Sequence, residues 1–328
     1  MRQFLRNLNP DEQVGLLFVL LFGLLALASL GGLLMSLRER RQGETDPGAS
    51  SRLQGYHQVL RNSWLMALVF WIGWAAGPGV ANLLFGLVSF FILREFISLS
   101  PTRRGDHRSL LLVFFAVLPL QYVLVWQHRL DLLTVFIPVY AFLALPVASA
   151  LGNDPERFLE RNAKLQWGVM VCVYGMSHVP ALMLLEFPGF VGKSAFLVFY
   201  LVVVVQTCML VQHLVNRRLS KPVAPQISLA FHWKGLGAGL LAGGLTGVLL
   251  TGITPFNPGR GLGMALIACA AGSLGHLVMK GIKRDRGVTH WGLGGRAVTG
   301  ASGLLDRVDA LCFAAPVFFH SVRWTFDL

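Results

Sequence analysis

The sequence predicts an all-α, polytopic integral membrane protein with about ten transmembrane helices. Hydrophobic residues make up 54% of the 328 positions, and charged residues make up only 13%. Soluble domains carry about 25% charged residues. Apolar stretches recur along the whole chain, and many approach the ~20 residues that a helix needs to cross a bilayer.

Ten spans follow from these stretches and from the polar residues between them. In chain order they cover 14–36, 63–79, 80–99, 109–127, 130–151, 166–186, 194–214, 235–256, 259–279 and 304–322. The first is too long for the apolar core of a secretory signal and lacks a clear cleavage site, so we expect it to be the first spanning helix. Only Gly77-Pro78-Gly79, typical of a tight turn, divides the second from the third.

The distribution of basic residues predicts the orientation. Alternate loops, taken as cytoplasmic, collect 20 Lys and Arg residues, whereas the opposite side receives 6. The positive-inside rule then places both termini outside and the long basic loops inside, with an active face on the cytoplasmic side of the inner membrane. These loops account for the net charge of +12, so we expect no nucleic-acid partner, although part of the excess could serve an anionic lipid or a nucleotide.

Residues 1–190 are predicted to be N-terminal transmembrane helices of unassigned role, and residues 191–328 a region that carries two long loops. These loops, 215–234 and 280–303, contain tryptophans and glycines and are expected to be ordered and functional. Spans eight and nine are rich in small residues, which predicts close helix packing rather than a phosphate loop. All four cysteines lie in apolar segments, where buried thiols are expected.

Two acids open the last apolar run. Asp306 and Asp309 are three residues apart, which places both carboxylates on one helix face. Such a pair can hold Mg²⁺ through oxygen ligands, and ionisable residues at membrane depth indicate a functional site. The alternative is an ion pair with Arg307 or a bond to a neighbouring helix.

Basic residues precede this pair: Lys280, Lys283, Arg284, Arg286 and Arg296. Acids that hold a metal, beside bases that bind phosphates, suit phosphoryl or nucleotidyl transfer, in which positioning and charge neutralisation do most of the catalysis. A solvated basic loop is the alternative.

The stretches KRDRGVTHWG and TGASGLLDRVDAL resemble the C-terminal signature of the phosphatidate cytidylyltransferase (CDP-diacylglycerol synthase) family. The matching positions are Lys283, Arg284, Gly287, Val288, Gly292, Gly300, Gly303, Asp306, Arg307 and Asp309. Upstream, APQISLAFHWKG resembles a second element of that family through Pro225, Ile227, Ser228, Trp233 and Gly235. The resemblance covers about the last 130 residues, and the first 190 match only as a set of spans.

The chain also departs from the family pattern. Histidines stand at two aspartate positions, His276 and His290, and Lys280 replaces a serine. The other departures are Thr289, Ala301, Lys234, Gln206 and three residues inserted before the final motif. Three alternatives follow: a reduced metal site, a site that uses the histidines and therefore favours Zn²⁺ or Mn²⁺, or lost chemistry.

The resemblance implies transfer of a cytidylyl group from CTP to phosphatidate, giving CDP-diacylglycerol and pyrophosphate for phospholipid biosynthesis. By residue, it implies Mg²⁺ on Asp306 and Asp309, Lys283 at the reaction centre, and Ser228, Arg284 and Arg307 as substrate-binding residues. From the basic cluster we also expect Lys280 and Arg296 to bind substrate, and in the histidine alternative His276 and His290 are further metal ligands. The alternatives from other classes are an inactive lipid-binding paralogue and a transporter. The sequence leaves the oligomeric state open, with a homodimer as one alternative.

Overall fold

A computed structural model describes residues 75–99, 103–188, 190, 192–288, 291 and 303–328, together with scattered residues between 15 and 73. The chain divides into two compact units, Met1–Ala81 and Asn82–Leu328. In the first unit the described residues between 15 and 36 are helical, and Trp64 donates a 3.0 Å hydrogen bond from Nε1 to Ser29 Oγ.

Eight helices account for most of the described chain from residue 78 onward. They are α1 (Pro78–Ser98), α2 (Arg104–Trp126), α3 (Leu130–Ala150), α4 (Phe158–Val169 continuing through Met170–Gly175 to Met176–Leu182), α5 (Ala195–Asn216), α6 (Trp233–Ile253), α7 (Pro258–Asp285) and α8 (Leu305–Phe326). The described residues contain no β-strand. The all-α prediction is therefore confirmed.

Six of these helices are long and apolar enough to cross a membrane: α1, α2, α3, α5, α6 and α7. Each coincides with one predicted span, because hydropathy and length decide both. The predicted spans 166–186 and 304–322 fall on α4 and α8, and the predicted spans 14–36 and 63–79 lie largely outside the described residues. The total of ten stays a prediction.

The start of α1 shows why the chain breaks between the second and third predicted spans. Gly77 has a φ of +89°, a conformation that glycine adopts without steric penalty, and Pro78 is the first helical residue. Proline at this position needs no backbone donor. The predicted turn is confirmed.

Helices α5, α6 and α7 pack against one another through glycine. A Cβ added to Gly243 would lie 2.3 Å from Cys269 Sγ, and one added to Gly247 would lie 2.5 Å from Ala265 Cβ. On the opposite side of α6, Leu241, Leu245 and Leu249 follow each other at every fourth position and are exposed, as expected of a lipid-facing stripe. The predicted close packing of spans eight and nine is thus confirmed.

The two long loops are shorter in the structure than predicted. Helix α5 runs to Asn216 and α6 begins at Trp233, which leaves residues 217–232, here called the linker segment. Helix α7 runs to Asp285, so Lys280, Lys283 and Arg284 are helical rather than in a loop. Basic side chains favour the last turn of a helix because they face the negative end of its dipole.

Candidate active site

The last turns of α7 and the first turns of α8 meet side by side. Glycines on α7 allow the approach, since a Cβ on Gly272 would lie 3.3 Å from Ala310 O and one on Gly275 would lie 2.2 Å from the Phe313 ring. Residues seven apart on α7 and three apart on α8 share a helix face. The contact therefore brings together His276, Lys283, Asp306 and Asp309, here called the charged cluster.

Asp306 has a cation and a backbone donor as partners. Lys283 Nζ lies 2.5 Å from Asp306 Oδ1, and the backbone N–H of Trp291 donates to Oδ2 at 2.9 Å. The Lys283 and Asp306 side chains are 10% and 21% exposed. Together they form a mostly buried ion pair that keeps some contact with solvent.

Asp309 is more deeply buried, with 2% of its surface exposed. His276 Nδ1 lies 2.7 Å from its Oδ2, and the backbone N–H of Ala310 donates to Oδ1 at 2.7 Å. Because an ionised carboxylate only accepts hydrogen bonds, Nδ1 carries the proton in this contact. His276 Nε2 then remains for a ligand, and 24% of the side chain is exposed.

The other predicted phosphate-binding residues surround this cluster unequally. Lys280 is half-buried and close enough to Lys283 and Asp309 to interact with both electrostatically. Arg284 is exposed at the end of α7. Arg307, which stands between the two aspartates in the sequence, is half-buried. Arg296 and His290, which were predicted to bind substrate and metal, lie outside the described residues.

Ser228 belongs to the linker segment and is 5% exposed. Its hydroxyl accepts a 3.3 Å hydrogen bond from Ala230 N, and its own N–H donates to Ala224 O at 2.7 Å. A Cβ on Gly281 would lie 3.7 Å from Ile227 Cγ2, which places this part of the linker segment beside the basic end of α7. Ser228 therefore lies in a tight turn near the cluster, with its hydroxyl proton still available for donation.

The sequence reasoning missed Glu95. This residue of α1 is 9% exposed, and its two carboxylate oxygens accept hydrogen bonds from the backbone N–H groups of Leu304 (3.1 Å) and Leu305 (2.8 Å). An acid within a predicted span was the signal that could have found it, since such residues are expensive in a membrane and usually functional.

The donor set can be compared with the needs of a metal ion. Among the described residues, no three or more His, Cys, Asp and Glu side chains are grouped so that they could hold a metal. Mg²⁺, however, is commonly bound by one or two carboxylates together with substrate phosphates. Asp306 and Asp309 supply such oxygens, and the ammonium of Lys283 beside Asp306 shows that positive charge is favourable there. The residues fit a Mg²⁺ ion shared with a phosphate.

His276 was predicted to replace an aspartate as a metal ligand. In the structure its Nδ1 is bonded to Asp309, so only Nε2 could face an ion. Histidines that bind metals usually donate their other ring N–H to a carboxylate in this way. The arrangement is compatible with His276 as a metal ligand, and that role stays a prediction.

Comparisons with known proteins find similarity along most of the chain, and not only in its C-terminal helices. A sequence model of the Cytidylyltransferase family matches residues 57–325. A protein of Escherichia coli (strain K12), the uncharacterized protein YnbB, is 30% identical over 311 residues, which are 93% of this chain and 96% of that protein. The family match includes α1 to α4 as well as the charged cluster, and the family supports CTP as a nucleotide substrate and transfer of a cytidylyl group from it. The chain belongs to the cytidylyltransferase family.

Proposed function

We propose that this membrane protein transfers the cytidylyl group of CTP to phosphatidate and releases pyrophosphate. A phosphate oxygen of phosphatidate attacks the α-phosphorus of CTP, and the bond from that phosphorus to the bridging oxygen of the β-phosphate breaks. The lipid keeps the cytidylyl group as CDP-diacylglycerol. The observation that carries the proposal is the charged cluster. In it, the carboxylates of Asp306 and Asp309 meet His276 and Lys283 where the last turns of α7 lie beside the first turns of α8.

The reaction joins two anions, so the site must neutralise charge before the reacting atoms can meet. Lys283, Lys280 and Arg284 are spaced along the last turns of α7 and would bind phosphate oxygens there. Arg307 and Arg296 would contribute guanidinium groups, which can contact two oxygens at once. The Ser228 hydroxyl would donate to a phosphate from the adjoining linker segment.

Asp306 and Asp309 would hold the Mg²⁺ that this chemistry requires. When bound, the ion would supply charge neutralisation on the phosphates and on the pyrophosphate leaving group. His276, and His290 by sequence, would serve as additional ligands if Mn²⁺ or Zn²⁺ takes this place.

The location of the cluster suits a lipid acceptor. Helices α5, α6 and α7 are long enough to span the membrane, and the acyl chains of phosphatidate can remain along their apolar surfaces. The cluster lies at the helix ends that the distribution of Lys and Arg assigns to the cytoplasm, from which CTP would arrive.

The test uses the full-length protein in lipid nanodiscs with phosphatidate, MgCl₂ and CTP labelled at either the α- or the γ-phosphate. We expect the α-label, and not the γ-label, to enter the lipid. Asp309→Asn removes a buried ligand charge and is expected to reduce product formation by at least about 100-fold, as for loss of a residue that acts in the transition state.

The matched control is Asp327→Asn, at the far end of the same helix, where the residue is exposed and has a φ of +51° that asparagine tolerates. This variant should retain full activity. Transfer of the γ-label would indicate a lipid kinase. No labelled lipid from the unmutated protein would favour the inactive lipid-binding paralogue, and undiminished activity of Asp309→Asn would contradict the assignment of the metal site.

A further inference from the structure

A buried carboxylate from α1 contacts the beginning of α8. Glu95 Oε1 accepts from Leu304 N at 3.1 Å, and Oε2 accepts from Leu305 N at 2.8 Å, across 209 and 210 residues of sequence. Two acceptor contacts of this kind use both oxygens of the side chain. An ionised carboxylate, which only accepts, suits them better than a protonated acid.

The residue at the capping position of the helix does not supply these acceptors itself. The first N–H groups of any α-helix lack partners within the helix. Here Leu304 occupies the capping position, its side chain makes no capping hydrogen bond, and Leu304 and Leu305 are 8% and 0% exposed. Water therefore has little access to these donors. Glu95 supplies the missing acceptors and places a negative charge at the positive end of the helix dipole.

The neighbour of Glu95 acts on the same place. The Phe96 ring stacks on the indole of Trp291, with centroids 5.4 Å apart and an angle of 26° between the planes. The backbone N–H of Trp291 donates to Asp306 Oδ2. Consecutive residues of α1 thus contact the two segments that define the position of the Asp306 carboxylate.

Glu95 is separated from the proposed metal ligands by these contacts. Within the described part of the chain it forms no group of three with other acids, histidines or cysteines that could hold a metal. It is nevertheless close enough to Asp306 to interact with it electrostatically. Asp306 itself forms its ion pair with Lys283.

We infer that Glu95 is a positioning residue: it caps α8 from α1 and thereby fixes the direction in which Asp306 and Asp309 face the substrates. The catalytic part of this inference rests on the proposed function, whereas the capping part rests on the contacts alone. This inference assigns a role to α1, a helix that contains none of the motif residues by which the chain resembles the family.

The cap is tested by hydrogen–deuterium exchange on the full-length protein, in peptides that cover residues 303–310. Glu95→Gln keeps the side-chain volume but leaves only one acceptor oxygen. The side-chain NH₂ group then faces one of the two backbone N–H groups, which is itself a donor. We expect the Leu304 and Leu305 amides to exchange at least about tenfold faster in Glu95→Gln and faster still in Glu95→Ala. The control Glu186→Gln changes an exposed carboxylate and should leave exchange unaltered.

Positioning is tested by kinetics on the same samples. We expect Glu95→Gln to lower kcat by about tenfold or more, while the KM for CTP changes by less than about threefold, because phosphate binding by the α7 bases is retained. A residue that serves stability alone would lower the yield of folded protein and leave kcat of the folded fraction unchanged.

Unchanged exchange at Leu304 and Leu305 in Glu95→Gln would overturn the cap. Faster exchange with unchanged kcat would overturn the positioning role. If the unmutated protein forms no CDP-lipid, the proposed function fails, and the exchange measurement decides on the cap independently. Should Glu95→Ala not yield folded protein, the isosteric Glu95→Gln carries both measurements.

Discussion

His276 and Asp309 restrict each other through their 2.7 Å contact. In the family that the C-terminal motifs resemble, an aspartate stands at the position of His276. A carboxylate there would face Asp309 as a like charge, whereas the imidazole N–H donates to it. The contact therefore gives Asp309 a hydrogen-bonding neighbour in place of a second carboxylate.

This difference gives a prediction for His276→Asp. Without a cation, the new pair of carboxylates should lower the stability by about 1–3 kcal/mol through the lost hydrogen bond and the repulsion. Mg²⁺ should restore most of this loss because it binds only the folded site. The measurement is the melting temperature in EDTA and in MgCl₂. His276→Asn, which adds no charge, serves as control, and an equal Mg²⁺ response in both variants would contradict a contribution of residue 276 to binding of the ion.

The sequence was informative about those site residues that are related locally. The three-residue spacing of Asp306 and Asp309 determines that they share a face, and Lys283, the basic partner of Asp306, lies 23 residues before it in the chain. An acid in a predicted span could have drawn attention to Glu95, but its partners could not be predicted, because they lie more than 200 residues away and are backbone N–H groups, which have no sequence signature. For Ser228 the sequence predicted a substrate contact but not the tight turn that its hydroxyl helps to close.

At the scale of helices, α4 packs closely against α8 about one turn beyond Asp309 of the charged cluster. A Cβ on Gly175 would lie 2.2 Å from the carbonyl oxygen of Cys312, which belongs to α8 one turn beyond Asp309. Backbone atoms cannot move aside as flexible side chains can. Any side chain at this position must therefore separate the two helices.

Gly175→Ala is accordingly expected to destabilise the protein by about 1–3 kcal/mol, as overpacking of a well-packed interior does. Gly263→Ala, on α7, is the matched control, because its Cβ would meet no atom within 4 Å. There the better helix propensity of alanine should leave stability unchanged or raise it by up to about 1 kcal/mol. Thermal unfolding in detergent measures both, and equal melting temperatures for the two variants would contradict the close contact.

Helix boundaries were predicted less well than helix positions. The sequence placed the start of the fourth described helix at residue 166, whereas α4 begins at Phe158. Hydropathy fails there because the polar first turn is stabilised by ion pairs of Glu160 with Lys164 in the helix and with Arg157 just before it. The last turn of α7 is polar too, and the sequence assigned it to a loop.

At the scale of the whole molecule, the basic residues divide into two groups. Several near the starts of α2 and α4 have acidic partners: Arg161 contacts Asp106 and Asp154, each at 2.9 Å, and Arg103 pairs with Glu156. These pairs connect loops and leave little charge for a ligand. In contrast, Arg217, Arg218, Lys280 and Arg284 form no ion pair with a carboxylate of the described residues, which favours the linker segment and the end of α7 as the phosphate-binding side.

The orientation of the molecule is open to a labelling test. All four native cysteines are buried, so they should contribute little background with a membrane-impermeant maleimide. We expect Gly252→Cys, in the last turn of α6, to be labelled on intact spheroplasts, and Ser220→Cys, in the linker segment, only after permeabilisation. Both positions are exposed. The reverse pattern would place the charged cluster outside the cell and would exclude cytoplasmic CTP as its substrate.

Three helices of the N-terminal half contain a π-helical turn near the middle: Val113–Val117 in α2, Phe136–Ala141 in α3 and Met170–Gly175 in α4. Such a turn accommodates one residue more than an α-helical turn. Side chains beyond it are therefore rotated by about 100° from where regular periodicity would put them. An alignment with a relative whose helix lacks the π-turn therefore needs a single-residue gap there, because without it the second half of that helix would exchange inward-facing for lipid-facing positions.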